Sequence, residues 1–310
     1  MDKFLNDKNC DINIELGRIL EECRPFAKEG RVASYIPELA KADPDKLGVY
    51  ILSDGGEYFA GDYDTLFTMQ SVVKPVILLL ALEDAGEERV KSLVGVEATG
   101  KPFDTFNYTD RALRNEHINP MINAGAIALC TLIKGDTYAE KTERLLNFTK
   151  QLAKNDSLEI DHAVYLSEKA TGNKNRALAY MLNAYGMINE EVEPLLDCYF
   201  SACSFKVNCR DLANIAFALS HCEENGLVSE EDARWVNAIL STSGMYDGSG
   251  EFALNVGVPA KSGVGGGIMA VVPRRMGIGV FSPALDKKGN SISGKKVLES
   301  ISRKFKLSIF

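Results

Sequence analysis

The sequence has little of what marks metal, disulfide, nucleic-acid or membrane chemistry. Its 310 residues include seven cysteines, Cys10, Cys23, Cys130, Cys198, Cys203, Cys209 and Cys222, an odd number with no Cys-x-x-Cys among them. With no export signal visible, these read as reduced thiols, mostly buried in helices. The three histidines, His117, His162 and His221, are scattered without ligand spacing, so each reads as a surface or helix residue and no metal site is expected. No lysine or arginine run exceeds a pair and the net charge is -8, which argues against a nucleic-acid partner. The longest apolar run, Val72 to Leu82, is interrupted by Lys74 and falls short of the roughly 20 residues that span a bilayer. The stretch from Met1 to Cys10 lacks a basic start followed by an apolar segment, so no signal peptide is read and a cytoplasmic location is expected.

What is present is ordinary for a globular protein, 45% hydrophobic and 25% charged residues, in a chain long enough for one large or two medium domains. One stretch stands apart. In Leu66-Phe-Thr-Met-Gln-Ser-Val-Val-Lys-Pro-Val-Ile-Leu-Leu-Leu-Ala-Leu82, Ser71 and Lys74 lead an otherwise apolar helix. A spacing of three places both on one helical face, where a desolvated lysine can act as base toward the serine oxygen. Pro75 sets the helix start at or just before Ser71, because a proline is tolerated only in the first turn. That start aims backbone N–H groups and the positive end of the helix dipole at whatever the serine attacks. Lys74 is in conflict with this, since a residue before proline disfavours helical angles. A second Ser-x-x-Lys, Ser293 to Lys296, stands at a polar helix start expected to be exposed.

The element pattern runs strand, helix, strand. Ile12 to Cys23 reads as an amphipathic helix and Tyr35 to Ala40 as a short one. Leu47 to Ser53 and Glu57 to Ala60 flank the hairpin signal Asp54-Gly55-Gly56. Most of the next 170 or so residues read as helical, with Asp136, Asn208 and Ser229 placed as N-caps and Gly186 and Gly226 as stops. Toward the end, Glu251 to Val256 reads as a short strand, and 267–272 and 276–282 as a hairpin around Pro273-Arg274-Arg275. A closing helix runs from about Ser293 to Phe305. The fold class expected is α+β, a mixed or antiparallel sheet built from both chain ends and flanked by helices, with an inserted all-helical subdomain. The expected boundaries are 1–70 with 242–310 for the sheet subdomain and 71–241 for the helical one, within a single domain.

The loop Lys261-Ser-Gly-Val-Gly-Gly-Gly267 precedes the final hairpin, and its glycines let a ligand approach the backbone closely. Ser-x-x-Lys on a helix followed late by Lys-Ser-Gly matches the serine acyl-transfer enzymes related to penicillin-binding proteins and β-lactamases. Neither Ser-Asp-Asn nor Tyr-x-Asn occurs, which argues against a β-lactam or peptidoglycan substrate. Within that fold the chain resembles the serine-dependent glutaminases over nearly its whole length. The resemblance is carried by Tyr35 to Ala40, Asn119-Pro-Met-Ile-Asn-Ala-Gly-Ala-Ile127, Ser167-Glu-Lys-Ala-Thr-Gly-Asn-Lys-Asn-Arg-Ala177, Cys198-Tyr-Phe-Ser-Ala-Cys-Ser204 and Lys261 to Gly267. One departure stands beside the serine, where the family commonly reads Ser-Ile-Ser-Lys and this chain reads Ser71-Val-Val-Lys74 before Pro75.

The resemblance implies an enzyme that hydrolyses L-glutamine without a cofactor, as a homodimer or homotetramer. It also implies substrate contacts from Tyr35, Ser71, Asn123, Glu168, Asn175, Tyr199, Tyr246 and the backbone of Val264. Glutamine carries an α-ammonium and an α-carboxylate; Glu168 suits the first, and the Asn123 and Asn175 amides suit the second. Taken without the resemblance, Glu168 reads equally as a solvated helix residue, Asn123 as a cap, Asn175 as a helix start, and the two tyrosines as core aromatics. Catalysis would fall to Ser71 as nucleophile, Lys74 as base and Tyr246 as proton relay, with Tyr199 near the pair and the Ser71 and Val264 N–H groups facing the oxyanion. A cytoplasmic penicillin-binding-like amidase or esterase on another substrate, and a glutamine-binding sensor without turnover, are the alternatives.

Overall fold

Runs of alternating residues from opposite ends of the chain meet in one sheet. The computed structural model describes residues 11–98, 118–222 and 226–310. Its strands are β1 (Gly48–Ser53), β2 (Gly56–Gly61), β3 (Phe67–Thr68), β4 (Lys206–Val207), β5 (Ala260–Ser262), β6 (Gly267–Val272) and β7 (Met276–Phe281). Five of them form an antiparallel sheet in the order β2-β1-β7-β6-β5, and β3 pairs with β4 separately. The β1–β7 register sets Val49 opposite Val280 and Ile51 opposite Ile278, so the two chain ends are joined by ladder bonds at the middle of the sheet.

The helices are α1 (Ile12–Cys23), α2 (Lys74–Ala85), α3 (Glu87–Lys91), α4 (Asn123–Cys130), α5 (Tyr138–Ala153), α6 (His162–Thr171), α7 (Asn173–Ala184), α8 (Val192–Cys203), α9 (Cys209–Ser220), α10 (Glu230–Ser243), α11 (Ser249–Asn255) and α12 (Ile292–Phe305). Strand alternation sorts the side chains into two cores. Val49, Ile51, Ile278 and Val280 pack with Leu16 and Leu20 of α1 and Val297 and Ile301 of α12. Tyr50, Met269 and Val271 point the other way, into the large cluster with α9 and the central helices. Gly277 and Gly279 also lie on the α9 side, where a Cβ would collide with the α9 backbone at Ala213 and Cys209. Their lack of side chains lets α9 lie directly on β7. Gly277→Ala should therefore destabilise the protein by about 2–4 kcal/mol through overpacking against a rigid backbone, read as a fall in thermal midpoint; an unchanged midpoint would contradict this packing.

Several local readings need correction. Residues 251–256 are not a strand: Ser249–Asn255 is helical, with Phe252 and Val256 buried and Leu254 85% exposed. The segment alternates like a strand, but its two buried residues are also four apart, as on one helical face. Thr137, not Asp136, caps α5: its Oγ accepts from the Glu140 N–H, while Asp136 donates its own N–H to Glu140 Oε2 at 2.8 Å. Asn208 and Ser229 do cap α9 and α10. From Tyr35 to Ala40 there is a turn and then only a 3-10 turn, Leu39–Lys41. Gly186 takes its positive φ just past the end of α7; Gly226 also has a positive φ, and the three residues before it lie outside the described residues. Ser293 is buried in α12 rather than exposed, while Lys296 is half exposed and pairs with Glu299. The second Ser-x-x-Lys thus has its two residues in different surroundings.

Candidate active site

The Ser71 segment begins at a strained residue. Gln70 has φ +48°, a left-handed conformation that costs roughly 1–2 kcal/mol for a residue with a side chain. A 3-10 turn, Gln70–Val73, then leads into α2. Pro75 falls at the second position of α2, where its missing N–H is harmless. Lys74 is helical despite preceding proline, with φ −58° and ψ −41°, and its amide bonds to the Ser71 carbonyl. The sequence conflict at Lys74 is thus settled in favour of the helix. Val73, in the position where serine is common in the family, is wholly buried in the apolar cluster.

Ser71 opens into a cavity of about 530 Å³ whose walls include Tyr35, Asn123, Glu168, Asn175, Tyr199 and Tyr246. Lys74 has no exposed surface; its Nζ donates to Met121 O at 3.2 Å and to Asn123 Oδ1 at 2.7 Å. Asn123 is the hub of the wall. Its Oδ1 also accepts from the Tyr199 hydroxyl at 3.3 Å, and its Nδ2 donates to Asn175 Oδ1 at 2.8 Å. It does not cap α4, since Ile122 holds that position. Four helices, α2, α4, α7 and α8, thereby converge on one polar chain.

Glu168, on α6, is buried, and its Oε2 has no hydrogen-bond partner among the described residues. Burial pushes its pKa up to about 8, against the opposing influence of Gln70 and the Lys74 charge. It is not a solvated helix residue. The Tyr199 phenol is likewise pushed well up by burial. Tyr246 also has a left-handed backbone, φ +52°, and its buried hydroxyl lies against the Ser71 side chain. Burial raises this phenol as well, while the serine contact lowers it. Tyr35 is 56% exposed and stands at the mouth.

Val264 is not among the residues that line the Ser71 cavity. Its side chain turns away into a small cluster with Ile36, Leu39 and Val164. The glycine loop lies flat on the Ser71 segment: a Cβ on Gly263 would meet Met69 O at 2.6 Å, and one on Gly265 would strike Thr68 O. Only glycine permits this approach. Among the described residues, no carbonyl accepts from the Ser71 or the Val264 N–H. The site thus combines a serine and a buried carboxyl group on one cavity wall with a buried amine held behind Asn123.

Sequence reading missed Gln70, Cys203, Lys174, Asp247, Lys287 and Lys288, all on the cavity wall. No periodicity marks them. Gln70 could have been noticed only as the neighbour of Ser71. His162 is exposed, and His221 stacks on Phe217 at 4.1 Å, next to Asp54; His117 lies outside the described residues. The described cysteines are free thiols, all buried except Cys222, while Cys10 lies outside the described residues.

The glutaminase family profile matches residues 30–310. The chain belongs to the glutaminase family. It is 51% identical to a glutaminase from Clostridium tetani over 94% of this chain and 97% of that one. It is 48% identical to glutaminase 2 from Clostridium perfringens, over 95% and 99% of the two chains. A probable glutaminase from Bacillus subtilis, solved in complex with 6-diazo-5-oxo-L-norleucine, superposes with a TM-score of 0.88 at 35% identity, covering 98% of each chain. The α+β, β-lactamase-like architecture that the motifs implied is therefore the architecture of the family.

Proposed function

We propose that the protein hydrolyses the side-chain amide of L-glutamine to L-glutamate and ammonia through a γ-glutamyl ester on Ser71. The observation that carries this reading is the buried Glu168 carboxyl group, whose Oε2 has no hydrogen-bond partner among the described residues, in the same cavity as Ser71. Such a group is costly to maintain unless a cationic ligand completes it, and the glutamine ammonium does so. Tyr35 and the Asn123–Asn175 pair line the cavity where the carboxylate would be held.

In the attacking state Lys74 acts as a neutral amine that still donates to Met121 and Asn123, and its lone pair takes the Ser71 proton. The serine oxygen attacks the side-chain amide carbon, and the Ser71 and Val264 N–H groups stabilise the oxyanion. The proton held by Lys74 reaches the leaving nitrogen through the Tyr246 hydroxyl, and ammonia departs. Water then attacks the ester, returning its proton by the same route and releasing glutamate. Val73 does not enter these steps, because it points into the core.

The deciding measurement is ammonia release from L-glutamine, with L-asparagine and the Ser71→Ala variant as controls. Glutamine bound without ammonia release would replace the enzyme by a sensor, and release from other amides or esters by a broader amidase. Tyr246→Phe should lower kcat by roughly 10²–10⁴-fold with KM little changed; unaltered turnover would remove Tyr246 from the mechanism. The same reading places the enzyme in the cytoplasm as a homodimer or homotetramer, which sedimentation tests, and takes 1–70 with 242–310 and 71–241 as its two lobes. No helix among the described residues is long and apolar enough to cross a membrane.

A further inference from the structure

Lys261 opens the Lys-Ser-Gly motif, yet none of the steps above uses it. It has no exposed surface, and its amine contacts among the described residues are two carbonyls and a ring, with no carboxylate. A lysine buried without an anion is expensive, and an apolar side chain of similar length would fill the space at lower cost. Burial drives its amine well below the ordinary lysine range, with repulsion from Lys74 acting in the same direction. Stability alone therefore does not explain an amine here.

Its contacts suggest what does. Nζ donates to Gly244 O at 3.1 Å and to Ser262 O at 2.6 Å, and stands 4.3 Å from the centroid of the Tyr246 ring. Gly244 lies two residues before Tyr246, and Ser262 is the last residue of β5. The amine therefore links the turn that carries Tyr246 to the strand beside it and supports the phenol ring on its face. Tyr246 needs such support, because its left-handed backbone persists only if surrounding contacts over-determine it. The Ser249 hydroxyl supplies one of them, accepting from Met245 N and donating to Tyr246 O. Lys261 alone of these contacts reaches the ring that carries the hydroxyl.

We propose that Lys261 is a positioning residue for glutamine hydrolysis: its amine clamps the Gly244–Tyr246 turn to β5 and supports the Tyr246 ring, aiming the hydroxyl at Ser71. The proposal rests on Tyr246 being the proton relay. It separates Lys261 from Lys74, which meets the reacting serine directly in the mechanism above.

A double-mutant cycle tests it on the full-length enzyme. Lys261→Met should lower kcat about a hundredfold, the cost of a small misplacement of a catalytic group, with KM shifted by less than about threefold. In a Tyr246→Phe background the same substitution should cost less than about threefold, because there is no longer a hydroxyl to aim. Thermal stability should change little, since the Gly244 carbonyl keeps the Ser262 N–H at 3.1 Å and the removed cost of a buried amine without an anion offsets its two lost carbonyl bonds. Should the methionine variant not fold, Lys261→Leu, which also removes the donor, carries the same cycle. Equal losses in the two backgrounds, a loss confined to KM, or full turnover in the Lys261 variant would overturn the proposal. Unchanged turnover in Tyr246→Phe alone would remove the relay and this proposal with it. A crippled Tyr246→Phe with an additive Lys261 effect would remove this proposal only.

Discussion

Ser71→Ala will reduce ammonia release from L-glutamine by about 10⁴-fold or more while leaving the affinity for glutamine within a few fold of the parent. The size of the loss follows from the route: without the oxygen no ester forms, and the backbone donors and bound substrate can assist only direct attack by water. Binding survives because the groups proposed to recognise the two ends of the amino acid stand on other helices. Glu168 is on α6, Asn123 on α4 and Asn175 on α7, and their contacts do not pass through the serine side chain. Stability should change little, since the hydroxyl sits on a cavity wall. Steady-state kinetics and calorimetric titration of the variant check both halves. Turnover within tenfold of the parent would exclude Ser71 as nucleophile.

The second large effect concerns Glu168 and pH. In the empty site its pKa is pushed up to about 8 by burial, whereas in the proposed function the substrate ammonium is bound by the ionised carboxylate. Below about pH 8 the empty protein carries the proton and must release it to bind. Apparent affinity should thus fall about tenfold for each pH unit below that point and level off above it. The Ser71→Ala protein, titrated with glutamine at pH 6, 7 and 8 in buffers of different ionisation enthalpy, should show this slope and a proton released at pH 7. Glu168→Gln should weaken binding by roughly 10–150-fold at pH 8, the value of a charge-assisted hydrogen bond, and should abolish the slope. An affinity independent of pH between 6 and 8 in the parent site would mean that Glu168 does not carry the ammonium. The linked effect on folding has the opposite sense: a carboxyl whose folded pKa lies above its unfolded value loses stability as pH rises through that window, and bound glutamine should restore it.

Much of this arrangement was legible from the residues in order. The spacing of Ser71 and Lys74, with Pro75 behind them, specified one helical face and a helix start, because both depend only on neighbours along the chain. The terminal hairpins were legible for the same reason, as alternation and turn residues are local. The strand reading of 251–256 failed where local pattern was ambiguous: Phe252 and Val256 suit either period, and packing chose the helix.

The properties that turn these residues into a site were not local. Glu168 and Gln70 are nearly a hundred positions apart, and the carboxyl group is raised because the fold removes it from water, against the opposing Gln70 contact. Lys261 meets Tyr246 through a ring contact that no motif encodes. The loop that carries Val264 lies against the Ser71 segment only because glycine at 263 and 265 lets two backbones touch. By itself the sequence determined which chemical groups the protein has, which helix and hairpins they ride on, and the family to which it belongs. Only the tertiary structure decided their charge, strain and aim, because desolvation and close contact are properties of the space around a group rather than of its neighbours in the chain.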